Sequence, residues 1–442
     1  MRAGRRKVGI VGTGEGSAVI VVVVLVGFGV FAVFGGLHWY LWRRLVRDTT
    51  APRTAPRRIG TSVLVAGPLL LVGASLGDVA GLPFPLVRVI AWPGYLWGAL
   101  VVYLLLALLV GEALRPLLLL LWFARETDTD ASPSTRVHTE SASKPQTSVA
   151  GEHAVPEAAQ SITATSKPIS RRIFVSRAVA GTAALTAATT VGAGAYGVLN
   201  GPQVKRLTVP LAELPRSAHG FRIAVVSDVH LGPILGRGFA ERVVRTINDT
   251  QPDLIAVVGD LVDGSVDDLR PAVEPLGRLR ARHGAYFVTG NHEYFSGAEE
   301  WIEHVQDLGL RLLANDRTEL PGFDLAGVND VQGERVGQGP DFGKALGDRD
   351  PARTAVLLAH QPIQIHDAVA HGVDLQLSGH THGGQLWPGN LVAALANPTV
   401  AGLERYGDTQ LYVTRGAGAW GPPVRVGAPS DITVVELAAA RA

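Results

Sequence analysis

The chain has no cysteine among its 442 residues. That excludes disulfides, thiolate metal sites and cysteine nucleophiles, so a transition-metal site here must be assembled from His, Asp, Glu or Asn. Net charge is lacking too, since 40 Lys and Arg stand against 39 Asp and Glu. Neither a basic nucleic-acid surface nor an acidic tail follows from that balance, and no nucleic-acid partner is expected. Long apolar runs are scarce after residue 200, and paired Asp and His are scarce before it. With 47% hydrophobic residues overall, a high share for a soluble protein, the chain divides into an apolar N-terminal part and a C-terminal part that carries the ionisable chemistry.

Residues 1–126 read as a membrane region with about three transmembrane helices. Ser17 to Gly36 is almost continuously apolar and ends in His38-Trp39-Tyr40-Leu41-Trp42, an aromatic belt at headgroup depth. A second run covers Ser62 to Leu76, and a third covers Tyr95 to Val110, continuing past Glu112 and Arg115 toward Trp122. The loop between the first two runs holds Arg43, Arg44, Arg47, Arg53, Arg57 and Arg58, which places it in the cytoplasm; Arg2, Arg5, Arg6 and Lys7 pull the N-terminus to that same side. Residues 127–169, rich in Ser, Thr, Ala, Pro and Glu, read as a disordered linker.

At 170–200, Arg171-Arg172-Ile173-Phe174 precedes a modestly apolar Ala-, Gly- and Thr-rich stretch. It reads equally as a twin-arginine signal, with the twin-arginine translocation machinery as partner, or as the positive flank of a fourth span. Either reading carries the chain out of the cytoplasm. The expected location is therefore the cell membrane, multi-pass, with an extracytoplasmic domain over 201–442.

That domain shows short β-rich runs at 223–226, 254–258, 285–289, 355–359, 373–377, 411–414 and 432–437. Amphipathic helical stretches fall at 239–248, 267–282 and 298–308. The alternation predicts an α/β domain with helices covering a layered sheet. At five successive strand ends the chain presents Asp, Asn or His: Asp228-Val229-His230, Gly259-Asp260-Leu261-Val262-Asp263, Gly290-Asn291-His292-Glu293, His360, and Gly379-His380-Thr381-His382. In an α/β fold such ends converge on one edge, where sites form. Gly259, Gly290 and Gly379 stand where the chain must turn sharply beside the ligands.

The succession D-x-H, G-D-x-x-D, G-N-H-E, H, G-H-x-H resembles the calcineurin-like metallophosphoesterase family over about residues 203–440. Within it, the similarity is greatest to a membrane-anchored bacterial branch with twin-arginine-exported and UDP-diacylglucosamine-hydrolase-like members, an affinity also carried by 414–418 and 422–425. The resemblance implies a four-layer α-β-β-α sandwich with two divalent metal ions, Mn, Fe or Zn. It also implies hydrolysis of a phosphoester or pyrophosphate bond by a metal-bound hydroxide. Asp260 would bridge the ions and take part in catalysis; Asp228, His230 and His382 would complete one site and Asn291, His360 and His380 the other; His292 would act at the leaving group.

The anchor makes a phosphorylated small molecule or lipid of the cell envelope the expected substrate. A catalytically silent phosphate-binding module is the alternative. Asp263 is expected to orient a histidine; His219, His283, His304, His366 and His371 match no motif and read as surface or core residues; Trp301, Trp387 and Trp420 read as packing residues.

Overall fold

The computed structural model describes residues 13–77, 79–129 and 171–440. The linker expected at 127–169 lies, from residue 130, outside the described residues, as do the N-terminal basic residues Arg2, Arg5, Arg6 and Lys7.

Among the described residues four helices are long and apolar enough to cross a membrane: α1 (Thr13–Leu41), α2 (Ala55–Leu76), α3 (Phe84–Thr129) and α4 (Arg171–Leu199). The second and third begin earlier than their apolar runs suggest. Arg57, Arg58 and Arg88 sit inside helices because a single polar side chain does not interrupt the backbone hydrogen bonding of an otherwise apolar segment. The chain divides into two compact units, one from Met1–Gly60 and Leu106–Ala183, the other from Thr61–Leu105 and Ala184–Ala442.

In the first unit the charges that interrupt the apolar runs satisfy one another. Arg44 pairs with Glu112 at 2.9 Å and Arg115 with Glu112 at 3.3 Å. Arg115 also donates to Ser176 Oγ, and Arg177 donates to the Thr49 carbonyl at 2.9 Å.

In the second unit, β1 (Gln203–Leu211), β2 (Phe221–Val226), α5 (Arg237–Asp249), β3 (Leu254–Val258), α6 (Val266–Val273), β4 (Ala285–Val288), α7 (Asn291–Ser296), α8 (Ala298–Asp307) and β5 (Arg311–Leu312) build the first half. Then follow β6 (Asp316–Leu320), β7 (Phe323–Gly327), α9 (Phe342–Leu346), β8 (Thr354–Leu358), α10 (Ile365–Ala370), β9 (Leu375–Ser378), α11 (Gly389–Ala396), β10 (Gly402–Tyr406), β11 (Thr409–Val413) and β12 (Asp431–Ala439). The strands form two six-stranded sheets, β1-β12-β2-β3-β4-β5 and β10-β11-β9-β8-β7-β6.

Parallel pairing of β2-β3-β4 and of β7-β8-β9 buries both faces, which is why Ile223–Val226, Leu254–Val258 and Ala355–Leu358 are unbroken apolar runs. Between the sheets lies a core with Ile223, Val225, Leu254, Val258, Phe323, Val356, Leu377 and Tyr412. On one outer face α5, α6 and α8 pack through Phe239, Val243, Ile247, Leu269 and Trp301; on the other, α9 and α10 pack through Phe342, Leu346 and Ile365. The result is the four-layer α-β-β-α sandwich. The helix expected over 267–282 ends at Val273 and continues as a 3-10 segment, Glu274–Arg278, since Pro275 and Gly277 do not sustain an α-helix.

Candidate metal centre

The C-terminal ends of β2, β3 and β4 in one sheet and of β8 and β9 in the other meet along one edge. The loop after β2 carries Asp228 and His230, and that after β3 carries Asp260. Asn291 opens α7 after β4, His360 follows β8, and His380 and His382 follow β9.

Asp228, His230 and His382 bring one ligand atom each within 4.8 Å of one another, as do Asp260, His360 and His380. Asn291 joins the second group, its Oδ1 lying 3.0 Å from His380 Nδ1. Asp260 stands between the groups, with Oδ2 3.1 Å from His360 Nε2 and 3.9 Å from His230 Nε2. All seven residues expected as ligands are thus drawn together.

Local backbone geometry sets this arrangement. Among the described residues nine non-glycine residues have positive φ, and five of them are Asp228, His230, Asp260, His380 and His382. Each costs on the order of 1–3 kcal/mol in a sparsely populated conformation, a cost that concentrates where side chains must be aimed rather than packed. Glycine makes room beside them. A Cβ on Gly379 would lie 2.0 Å from Ser227 Oγ and 2.4 Å from Asp228 Oδ2, and one on Gly290 would lie 2.2 Å from Asp260 Oδ1.

The donors fit a pair of divalent cations. His360 is fully buried, its Nδ1 is 2.7 Å from the Val258 carbonyl, and its Nε2 is aimed at Asp260 Oδ2. His230 and His382 face each other nitrogen to nitrogen, Nε2 to Nε2, at 3.0 Å. Buried imidazole nitrogens converging on carboxylates with no sulfur nearby form the donor set of Mn, Fe or Zn sites.

Asp263 Oδ1 lies 2.9 Å from His230 Nδ1 and 2.7 Å from His292 Nδ1, so one carboxylate orients both imidazoles. Burial alone would suppress the His230 cation, but Asp263, Asp260 and Asp228 outweigh it and raise its pKa to about 9. For Asp260, burial is outweighed by His360, His230 and His292, and its carboxyl is held below the usual range. His380 is pushed down to about 4 by burial and by His360. Burial, then His230 and Arg425, lowers His382 as well, which keeps it neutral. Asp260, His380 and His382 are thereby in the ionised and neutral forms that bind metal, whereas His230 must give up its proton to do so.

Four further residues, none of them named as a site residue from the sequence, support the ligand loops. Glu293, buried, accepts from the backbone N–H groups of Gly290, Asp260 and Leu261 at 2.6, 3.0 and 2.7 Å, tying two ligand loops together. Arg425, buried, places Nη2 3.1 Å from His382 Nδ1 and donates to the carbonyls of His382, Gly418 and Ala428. The backbone N–H groups of Ala417 and Gly418 donate to Ser227 and Asp228, holding the first ligand loop from the C-terminal side.

Beside His230, Asp263 and His292 opens a cleft of about 260 Å³. Its far wall is the α2–α3 hairpin, through Ala74, Ser75, Val79, Val87 and Tyr95. A larger depression of about 870 Å³ lies at the N-terminal ends of β3, β4 and β5, away from every candidate ligand.

Trp301 is fully buried, as a packing residue should be. Trp420 and Trp387 are not: they are 59% and 54% exposed, and Trp420 lines the cleft with its ring 5.8 Å from that of His292. Their places after the ligand loops, outside any strand, leave them without a core to enter. His304 is buried on α8, with Arg270 3.3 Å from its Nδ1; it, His219, His283, His366 and His371 are absent from the centre.

Residues 221–384 match the family model of calcineurin-like phosphoesterases. A metallophosphoesterase of Aquifex aeolicus is 32% identical over 240 residues, covering 53% of this chain and 91% of that protein. One from Bacillus subtilis is 30% identical over 286 residues, covering 61% of this chain and 98% of that protein. The chain belongs to the calcineurin-like metallophosphoesterase family. A transmembrane protein with a metallophosphoesterase domain from Danio rerio is 40% identical over 260 residues, 55% of this chain and 59% of that protein. Matches in animals as well as bacteria do not single out a bacterial branch. The chain spans 59% to 66% of the length of the first relatives it matches.

Proposed function

We propose that this chain is a membrane-anchored, dinuclear-metal phosphohydrolase acting on a phosphoester or pyrophosphate bond of a small or lipid-linked envelope molecule. The observation that carries this reading is the convergence of two ligand groups on Asp260, with the buried His360 Nε2 3.1 Å from its carboxylate. With two divalent cations bound, such a centre polarises a phosphoryl group and activates water at neutral pH.

Asp260 would serve both cations, its negative charge offsetting their mutual repulsion; Asp228, His230 and His382 would hold one, and Asn291, His360 and His380 the other. Asp263 takes Nδ1 of His292, and the His292 backbone N–H donates to Asp260 Oδ1 at 2.9 Å, so the ring stands fixed at the cleft mouth and offers Nε2 to substrate. There it donates a proton to the departing oxygen.

Membrane topology supports an extracytoplasmic domain. Val79, in the turn of the α2–α3 hairpin, lines the same cleft as His292, and we take that turn and the domain to share one side. The arginine-rich loop lies at the opposite end of α2, on the side that positive charge assigns to the cytoplasm. We take Arg171 and Arg172, at the start of α4, as the positive flank of a fourth span rather than an export signal.

The test is hydrolysis of a chromogenic phosphodiester by the full chain with Mn, Zn and Fe in turn. Asp260→Asn and His380→Ala should each abolish it while the circular dichroism spectrum stays unchanged. Full activity in both variants would overturn the reading; bound metal without turnover of any phosphoester or pyrophosphate would favour a binding module.

A further inference from the structure

Directly after the ligand loop that holds His380 and His382, the chain runs from Gly383 to Leu403 without one Asp, Glu, Lys or Arg. Its middle forms α11, a helix on a folded domain that contributes no buried residue. Leu391, Val392 and Leu395 are 64%, 68% and 87% exposed, and Trp387 stands exposed just before them. A helix in water gains stability by burying an apolar stripe; α11 buries none among its own chain's residues, so its apolar side chains need another cover.

The base of the segment is nevertheless fixed. Thr381 Oγ1 donates to the Val400 carbonyl at 2.6 Å, Gln385 Nε2 donates to the Trp420 carbonyl at 2.9 Å, and Leu386 bridges to Val426. Tyr103, on the part of α3 within this unit, donates to the Trp387 carbonyl at 3.1 Å. The residue two positions before α11 is thereby tied to a helix apolar enough to cross a membrane. Within the same unit α2 and α3 also expose Leu69, Val72, Leu76 and Val89.

We propose that α11 and Trp387 dock into the lipid bilayer as an interfacial element. At 1.5 Å per residue, α11 is about 12 Å long, too short to span and suited to lie in the interface. With no charge on the segment, docking is hydrophobic, and it should be insensitive to salt and to the anionic lipid fraction. Trp387 supplies the aromatic side chain that favours headgroup depth. Because α11 follows the loop of His380 and His382 without a linker, docking fixes the height of the metal centre above the membrane. The inference does not depend on turnover.

The absence of cysteine gives a clean test. Leu395→Cys and Val392→Cys in the full chain, each labelled with an environment-sensitive fluorophore in proteoliposomes, are compared with Arg245→Cys on the exposed face of α5. Lipid-borne nitroxide should quench the fluorophores at 395 and 392 several-fold more than the one at 245, and aqueous iodide should show the reverse order. Iodide quenching at 395 equal to that at 245 would overturn the proposal, because α11 would face water. Shielding of 395 and 392 from both quenchers would overturn it too, because protein such as a second copy of the chain would then cover the helix.

Discussion

The two halves of the metal centre are backed differently. In the half formed by Asp228, His230 and His382, the imidazoles are steered by charged side chains: Asp263 at His230 Nδ1 and Arg425 at His382 Nδ1. In the half formed by Asn291, His360 and His380, the neutral Val258 carbonyl steers His360, and His380 Nδ1 meets Asn291 Oδ1, itself a candidate ligand. His360 and its carbonyl partner belong to the β3 and β8 strand ends inside the core, so that half is built into the fold. The other half stands toward the cleft, where Asp263 also reaches His292. The charged half is therefore the one that a single substitution can retune, whereas the neutral half is expected to change only together with the sandwich.

Removing the shared residue should erase the difference. Asp260→Asn is expected to lose both ions and to bring phosphodiester hydrolysis to background; elemental analysis that still finds one full ion per chain would show that the halves do not share it. His292→Ala leaves every ligand in place and removes the proton donor, so the rate should fall about 10²- to 10⁴-fold with metal content unchanged. Loss of metal in that variant would place His292 among the ligands instead.

Asp263→Asn keeps the shape and removes the charge behind His230. Metal affinity of the first half should drop about 10- to 100-fold while the second half holds its ion, read by titration with Mn. Equal weakening of both halves would contradict the contrast. The smallest effect belongs to Leu395→Asp, which lies outside the centre and should leave hydrolysis of a water-soluble diester unchanged.

The candidate ligands were legible in the sequence because each follows a buried strand where the chain changes abruptly to Asp, Asn or His, most plainly after the apolar runs of β2, β3 and β8. The residues that orient them were less so. Arg425 reaches His382 across 43 positions, and Glu293 supports the loops of Asp260 and Gly290 through backbone contacts that no spacing announces. The strands β6 and β10 were missed for a related reason: at the sheet edges they carry Asp316, Arg317, Glu319, Glu404 and Arg405, charges that keep an edge from pairing further but hide its periodicity. Val79 and Tyr95 read only as parts of a membrane hairpin, since their place at the cleft depends on how that hairpin packs on the domain.

The account rests on two unlike halves making one dinuclear centre around Asp260. The measurement that tests it most directly is the number of divalent ions per chain, by mass spectrometry, in the wild-type protein and in Asp228→Asn. Two ions in the wild type and one in the variant are predicted, the survivor being held by Asn291, His360 and His380. A single ion in the wild type, or none in the variant, would contradict it.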